Sequence, residues 1–245
     1  MSGENGIDDP RRMVLVRALS AGLLGSCMTP AQAITFGFFG SKPSKLPETQ
    51  SIYRMSGDVA VNKQAATLDT RIQPGDTVQT GKNSEIVFVV GTQSMILRED
   101  SELEIEAATD GLASLFISGL RMLTGKLLSV SRNSNMQVRS STATIGIRGT
   151  GFYIEADPER TYFCNCYGVT DVQATNDPQS RETVTATDHG RPLYILADGA
   201  AGRKIRAAPF INHTDQELAL IETLVGRERT FVFPRRSYTA PRRTY

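Results

Sequence analysis

The sequence predicts an all-β fold, either a compact β-sandwich or a short β-solenoid-like stack, with one capping helix near the C-terminus. Three observations lead there. Between residues 52 and 200, β-branched and apolar runs of about four to seven residues are separated by glycine, proline, asparagine and aspartate. The turn signals recur about every ten residues, the spacing of sandwiches and barrels. Strands do not alternate there with amphipathic helices, as a doubly wound α/β fold requires. With 40% hydrophobic residues in 245, the chain has enough apolar material for a core.

The first forty residues read as an address. Arg11, Arg12 and Arg17 precede a small and apolar run from residue 18 to 28, followed by Pro30 and Ala31-Gln32-Ala33. That order, basic then apolar then small, is the plan of a secretory signal peptide, with cleavage expected after Ala33. Arg11-Arg12 followed by Met13-Val14-Leu15 also fits a twin-arginine signal. Leu24-Gly25-Ser26-Cys27 offers the alternative of a lipoprotein anchored through Cys27. Each route places the chain outside the cytoplasm, and the expected location is the periplasm. No apolar run reaches the roughly 20 residues of a membrane-spanning helix.

Residues 34–51 are expected to be a linker, polar over 41–50 where Pro43 and Pro47 stand, ahead of the all-β segment 52–200. Strands are expected at 59–61, 77–79, 86–90 and 95–97, with a turn at Pro74-Gly75-Asp76. Glu102, Leu103, Glu104, Ile105 and Glu106 alternate with a period of two, which turns the apolar pair inward. The stretch 112–123, broken by Gly119, fits strand or helix. Further strands follow at 126–130, 136–139, 150–155, 161–166 and 169–174.

The extension 201–226 holds a helix over 215–225. Thr214 and Glu217 have the spacing of a capping box. Leu218, Leu220, Ile221, Leu224 and Val225 recur at helical spacing, and Gly226 stands where a helix stops. Such a helix is expected to cover an open end of the β-core. From 227 to 245 six arginines face Glu228 alone, so a solvated tail is expected, able to touch an anionic surface.

Several segments, in this order, resemble the FecR-type periplasmic domain. Gly57-Asp58-Val59-Ala60-Val61 matches its opening strand, and Pro74-Gly75-Asp76-Thr77-Val78-Gln79-Thr80-Gly81 its first turn. Asp100-Ser101-Glu102-Leu103, Gly125-Lys126-Leu127 and Gly168-Val169 match later steps. Residues 140–152, containing Gly146-Ile147-Arg148-Gly149-Thr150, are similar to the family's most specific signature, with Thr142 where a proline often stands. The resemblance covers about residues 55–175. It implies a binding or sensing module engaging an envelope protein or a cell-wall polymer. A stand-alone exported member, without the anti-sigma segment and membrane helix of the founding members, is the expectation, so the sigma-regulator role is not carried over. Within the block, Gly146 and Gly149 permit a sharp turn or a close strand approach. Arg148 offers a fork of donors to exposed carbonyls or an acidic partner.

Tyr162-Phe163-Cys164-Asn165-Cys166-Tyr167 adds a second candidate site. Residues two apart on a strand share a face, so both thiols point one way. In an oxidising compartment Cys164 and Cys166 are a disulfide candidate, provided that a bend brings them closer than a regular strand allows. His189 and His213 are the chain's two histidines. With the two cysteines they form a donor set suited to zinc, copper or iron. The main expectation is a module without a cofactor; a metal-binding or redox envelope protein is the alternative.

Composition and motifs exclude other classes. With 27 basic and 26 acidic residues the chain lacks the basic excess of a nucleic-acid binder. Signatures of serine hydrolases, zinc proteases, phosphate-binding loops and dinucleotide folds are absent, so no enzymatic activity is expected.

Overall fold

The computed structural model describes residues 43–108, 116–131 and 136–227. The signal peptide, the twin-arginine and Cys27 motifs and the tail beyond Arg227 lie outside these residues. Among them are fourteen strands and one helix. The all-β class and the single C-terminal helix are therefore as the sequence predicts, and the strands join in one continuous, mainly antiparallel sheet.

In chain order, β1 (Ile52–Ser56), β2 (Val59–Val61), β3 (Gln64–Ala65), β4 (Thr77–Thr80), β5 (Glu85–Val90), β6 (Gln93–Leu97) and β7 (Ser101–Ala107) are short. β8 (Ile117–Val130), β10 (Ala143–Ala156) and β11 (Arg160–Ala174) are long, with β9 (Met136–Arg139) beside β8 and β10. β12 (Asp177–Ala186), β13 (Gly190–Leu196), β14 (Ile205–Ala207) and α1 (Asp215–Leu224) complete the chain. The ambiguous stretch 112–123 enters β8 from Ile117 onward.

Long strands that change partner along their length fold this sheet over itself. β8 pairs β7 in its first half and β6 in its second, and β10 passes from β9 to β8. β11 runs along β10 on one edge, while its other edge is shared by β13 over 160–165 and β12 over 168–174. Sheet corners of this kind need bulges. The register supplies two facing ones: Gly149 and Thr150 of β10 stand opposite a single residue of β11, and Cys166 has no partner on β10.

A one-residue slip sends alternate side chains to the other face, and the burial pattern shows it on both strands. Ala143, Ile145 and Ile147 enter the main core before the bulge; Phe152, Ile154 and Ala156 enter it afterwards. On β11 Phe163 points there on one side of the bulge, Val172 and Ala174 on the other. The main core draws on nearly every strand, and a few buried polar side chains adjoin it: Gln93 donates to the Met136 sulfur and Asn165 to the Val184 carbonyl.

A second cluster lies on the opposite face. Val87, Ile96, Leu128, Val130, Tyr153, Tyr162, Cys164 and Cys166 meet Leu218, Ile221 and Leu224 of α1. The helix thus covers a face of the sheet rather than an open end of it, because these strands present a second apolar surface that must be buried. Its capping box forms as expected, with Thr214 accepting from the Glu217 amide and Glu217 accepting from the Thr214 amide. Glu217 also pairs with Arg98 at 3.0 Å. Two boundary expectations are corrected. Arg227, placed at the start of a solvated tail, is 6% exposed and pairs with Glu222 at 3.3 Å. Leu46, placed in a linker, is buried, and its amide donates to the Leu224 carbonyl. Among the described residues no helix is long and apolar enough to cross a membrane.

Candidate metal centre

The partner change on β11 creates a notch between β12 and β13, and the four metal-ligand candidates meet there. Cys164 and Cys166 contribute their sulfurs from β11. His189 comes from the corner 187–189 that joins β12 to β13. His213 comes from the segment ahead of α1, one residue before the helix cap. One donor atom from each of the four lies within 4.8 Å of the others. The sequence places them as far as 49 residues apart (213 − 164), and the fold closes that separation.

Local backbone holds each histidine. The His189 amide donates to the Cys166 carbonyl at 2.9 Å, which fixes the corner on β11 although His189 has a left-handed φ of 44°. Such a φ costs about 1–3 kcal/mol in a residue other than glycine and persists only where neighbours enforce it. The segment 208–214 is held in turn by Ala208 donating to the Pro192 carbonyl, Ile211 donating to the Tyr162 hydroxyl and Asn212 donating to the Glu155 carboxylate. Aromatic rings close the site: Tyr153 stacks on His213 at 4.5 Å between centroids, and Phe210 packs on both histidines. Cys164, Cys166 and His213 are wholly buried.

Hydrogen bonds set the tautomers. His213 Nδ1 lies 2.7 Å from the Ile211 carbonyl, which can only accept, so Nδ1 carries the hydrogen. His189 Nε2 lies 2.8 Å from the Asp215 carboxylate, which fixes the hydrogen on Nε2. The two remaining nitrogens, His189 Nδ1 and His213 Nε2, then face each other at 3.1 Å. Two lone pairs cannot share that gap unless a proton or a cation lies between them. His189 Nδ1 is also 3.9 Å from Cys164 Sγ. In a tetrahedral site with two sulfurs and two nitrogens, donors stand about 3.3–3.8 Å apart, close to both distances.

Charge is distributed to match. Burial pushes the Cys164 thiol up, but its contacts with Cys166, His189 and His213 outweigh burial and hold it well below the usual thiol range. Cys166 is pushed well up by burial and by Cys164 beside it. Burial lowers His189, yet Cys164 and Asp215 more than restore it, so it lies above the ordinary imidazole value. The two cysteines are not joined to each other in this structure.

Asp215 is the residue that the sequence reading missed. It looks like an ordinary acidic residue in the first turn of a helix, where the helix dipole favours it. The fold uses it to hold His189, the carboxylate–histidine arrangement common behind metal ligands. Cys164, His189 and Asp215 also line up as a thiol, a base and an orienting carboxylate, a constellation that the motif search did not find.

The other candidate residues do not converge on this site. Arg148 is exposed and binds the Asp171 carboxylate across the strand pair through one guanidinium nitrogen. Gly146 lies in regular strand opposite Asp171 and makes no turn. Gly149 has a φ of 63° and forms the β10 bulge. The sharper steric demand falls on Gly151, where a Cβ would lie 2.5 Å from the Tyr167 ring.

No protein-family model and no curated protein matches the chain. Two solved structures of candidate anti-sigma factors from Parabacteroides distasonis are similar to it, each with a TM-score of 0.42. One is 14% identical and covers 62% of this chain and 76% of its own; the other is 12% identical and covers 60% and 73%.

Proposed function

We propose that this chain is an exported, FecR-like, non-catalytic binding module whose C-terminal cap is fastened by a divalent cation, zinc in the first place, held by Cys164, Cys166, His189 and His213. The observation that carries the metal reading is the pair of facing imidazole nitrogens 3.1 Å apart, each with its outer nitrogen already committed to a protein acceptor. Two thiolates neutralise a divalent charge, which suits a dry, enclosed site. Sulfur and imidazole donors select zinc or copper over magnesium and calcium. The cation would tie β11, the β12–β13 corner and the entry to α1 together, and so keep the second face of the sheet covered.

Binding rather than catalysis fits the enclosure of the site. The thiol of Cys164 has a base beside it, but no surface through which a substrate carbonyl could approach. The FecR-like reading rests on the residue pattern of the sequence. It directs the search for a partner to envelope proteins and cell-wall polymers.

Elemental analysis of protein purified without chelator tests the metal reading. About one zinc per chain is expected, and none in Cys164→Ser or His213→Ala. A folded wild-type chain with less than about a tenth of a metal ion, not restored by added zinc, would overturn it. Copper or iron at full occupancy would keep the site and change the cation.

A further inference from the structure

The two sulfurs that supply half of the donors are oxidisable, and their placement gives them a chemistry of their own. Cys164 and Cys166 stand on one strand with only Asn165 between them, and their sulfurs lie within 4.8 Å. Both are wholly buried, so no thiol of another chain reaches them. Each therefore has the other as its available disulfide partner among the described residues. On a regular strand, residues two apart are about 6.5–7 Å between Cα atoms, at the upper limit of what a disulfide spans. β11 is not regular here. Cys166 is the bulged residue, opposite no residue of β10, and a bulge bends the strand that carries it. The structure thus supplies the bend that joining the pair requires, at the residue that requires it.

We propose that Cys164 and Cys166 are a reversible two-electron switch that hydrogen peroxide, small enough to reach buried sulfurs, throws and that governs the occupancy of the cation site; this rests on the metal reading of the same four residues. With hydrogen peroxide, one thiolate sulfur attacks a peroxide oxygen. The O–O bond breaks, and hydroxide leaves and takes up a proton to form water. The resulting sulfenic acid is attacked by the other thiolate. The S–O bond breaks, a second water forms with a second proton, and the S–S bond closes. Two thiolates, one peroxide and two protons become one disulfide and two waters. The cation loses two of its four donors and both compensating charges, and the two histidines alone do not retain it. A disulfide closed over a single intervening residue is strained, and strained disulfides are readily reduced. A dithiol therefore restores the donors. A bound cation ties up both thiolate lone pairs and slows the first attack, so occupancy and oxidation oppose each other.

The experiment uses the full chain loaded with zinc and titrated with hydrogen peroxide, with a chromogenic chelator too weak to strip the reduced protein. Released zinc is compared with non-reducing peptide maps. One zinc is expected per Cys164–Cys166 bond formed, with full rebinding after a dithiol and fresh zinc. Cation-free protein is expected to oxidise at least tenfold faster than loaded protein. Zinc retained at peroxide levels that oxidise the thiols of the denatured chain would overturn the switch while leaving the metal reading intact. So would zinc released with sulfinic acids and no bond between the two cysteines. A chain that never takes up zinc overturns the metal reading, and the switch with it.

Discussion

The two faces of the sheet differ in kind. The inner face is lined by aliphatic side chains and phenylalanines from nearly every strand, with no titratable group among its core residues. The outer face, under α1, buries tyrosines and both cysteines, with His189, His213 and Asp215 against them. Both are dry. The inner face is stabilised mainly by burial of apolar side chains, which is non-directional and tolerates substitutions of similar volume. The outer face depends on polar atoms whose partners are fixed to a fraction of an ångström, and an unpaired polar group there costs more than a lost contact. One face secures the fold, and the other holds the chemistry.

Substitutions can separate the two. Leu103→Ala, in the inner core, is expected to destabilise the chain by about 2–5 kcal/mol. Denaturant midpoints should show the same loss with and without zinc, since Leu103 has no contact with the centre. His213→Ala is expected to do the reverse. In wild type, zinc at a thousandfold excess over its dissociation constant stabilises by about 4 kcal/mol. That increment should vanish in the variant, which differential scanning calorimetry would register. If zinc still raised the melting temperature of His213→Ala by as much, His213 would not be a ligand.

How much of this could be read from the sequence follows the same division. Most strands from 59 to 174 are legible because their apolar residues alternate or run continuously, but β3 and the first half of β10 were not marked and β11 was read as two strands, 161–166 and 169–174. β12 to β14 were not individually marked, since Arg181, Glu182, Thr183 and Thr185 dilute the pattern and Pro178 and Pro192 look like breaks. The proline at 192 is tolerated because the β13 register slips beside it, between Gly190 and Leu193. The helix was legible to within a residue from its capping box. Ligand types were legible from scarcity, two cysteines one residue apart and two histidines. Their convergence was not, because it depends on bulges at Gly149–Thr150 and Cys166 that exist only between strands. Asp215 was invisible for a different reason: its helix-terminal place already accounts for it.

Smaller effects sharpen the comparison. Asp215→Asn keeps the size of the side chain but removes the charge behind His189; zinc affinity is expected to fall about 10–100-fold, with little change in the stability of the cation-free protein. Competition against a chelator of known affinity would measure it. Gly149→Ala places a side chain at a φ of 63° and is expected to cost about 1–2 kcal/mol through the bulge alone. Chemical denaturation of the cation-free protein isolates that cost.

The smallest effect is expected at the surface. Asp171 accepts from Thr183 and pairs with Arg148, which together outweigh the opposing effect of burial and hold its carboxyl below the usual carboxylate value. A carboxyl lowered in the folded state adds stability above its unfolded value, and that stability is lost as pH falls through the folded one. Arg148→Ala should therefore move the Asp171 titration upward, seen by carbon-detected NMR, while zinc binding stays unchanged. A change in zinc affinity would join two regions that the structure keeps apart.

The most direct measurement is substitution of divalent cobalt, whose visible absorption reports geometry and ligand type together. The wild-type chain is expected to give the intense bands of a tetrahedral site with thiolate charge transfer, weakened or lost alike in Cys164→Ser, Cys166→Ser, His189→Ala and His213→Ala. A weak octahedral spectrum, or an unchanged one in any of the four folded variants, would contradict a centre built from these residues.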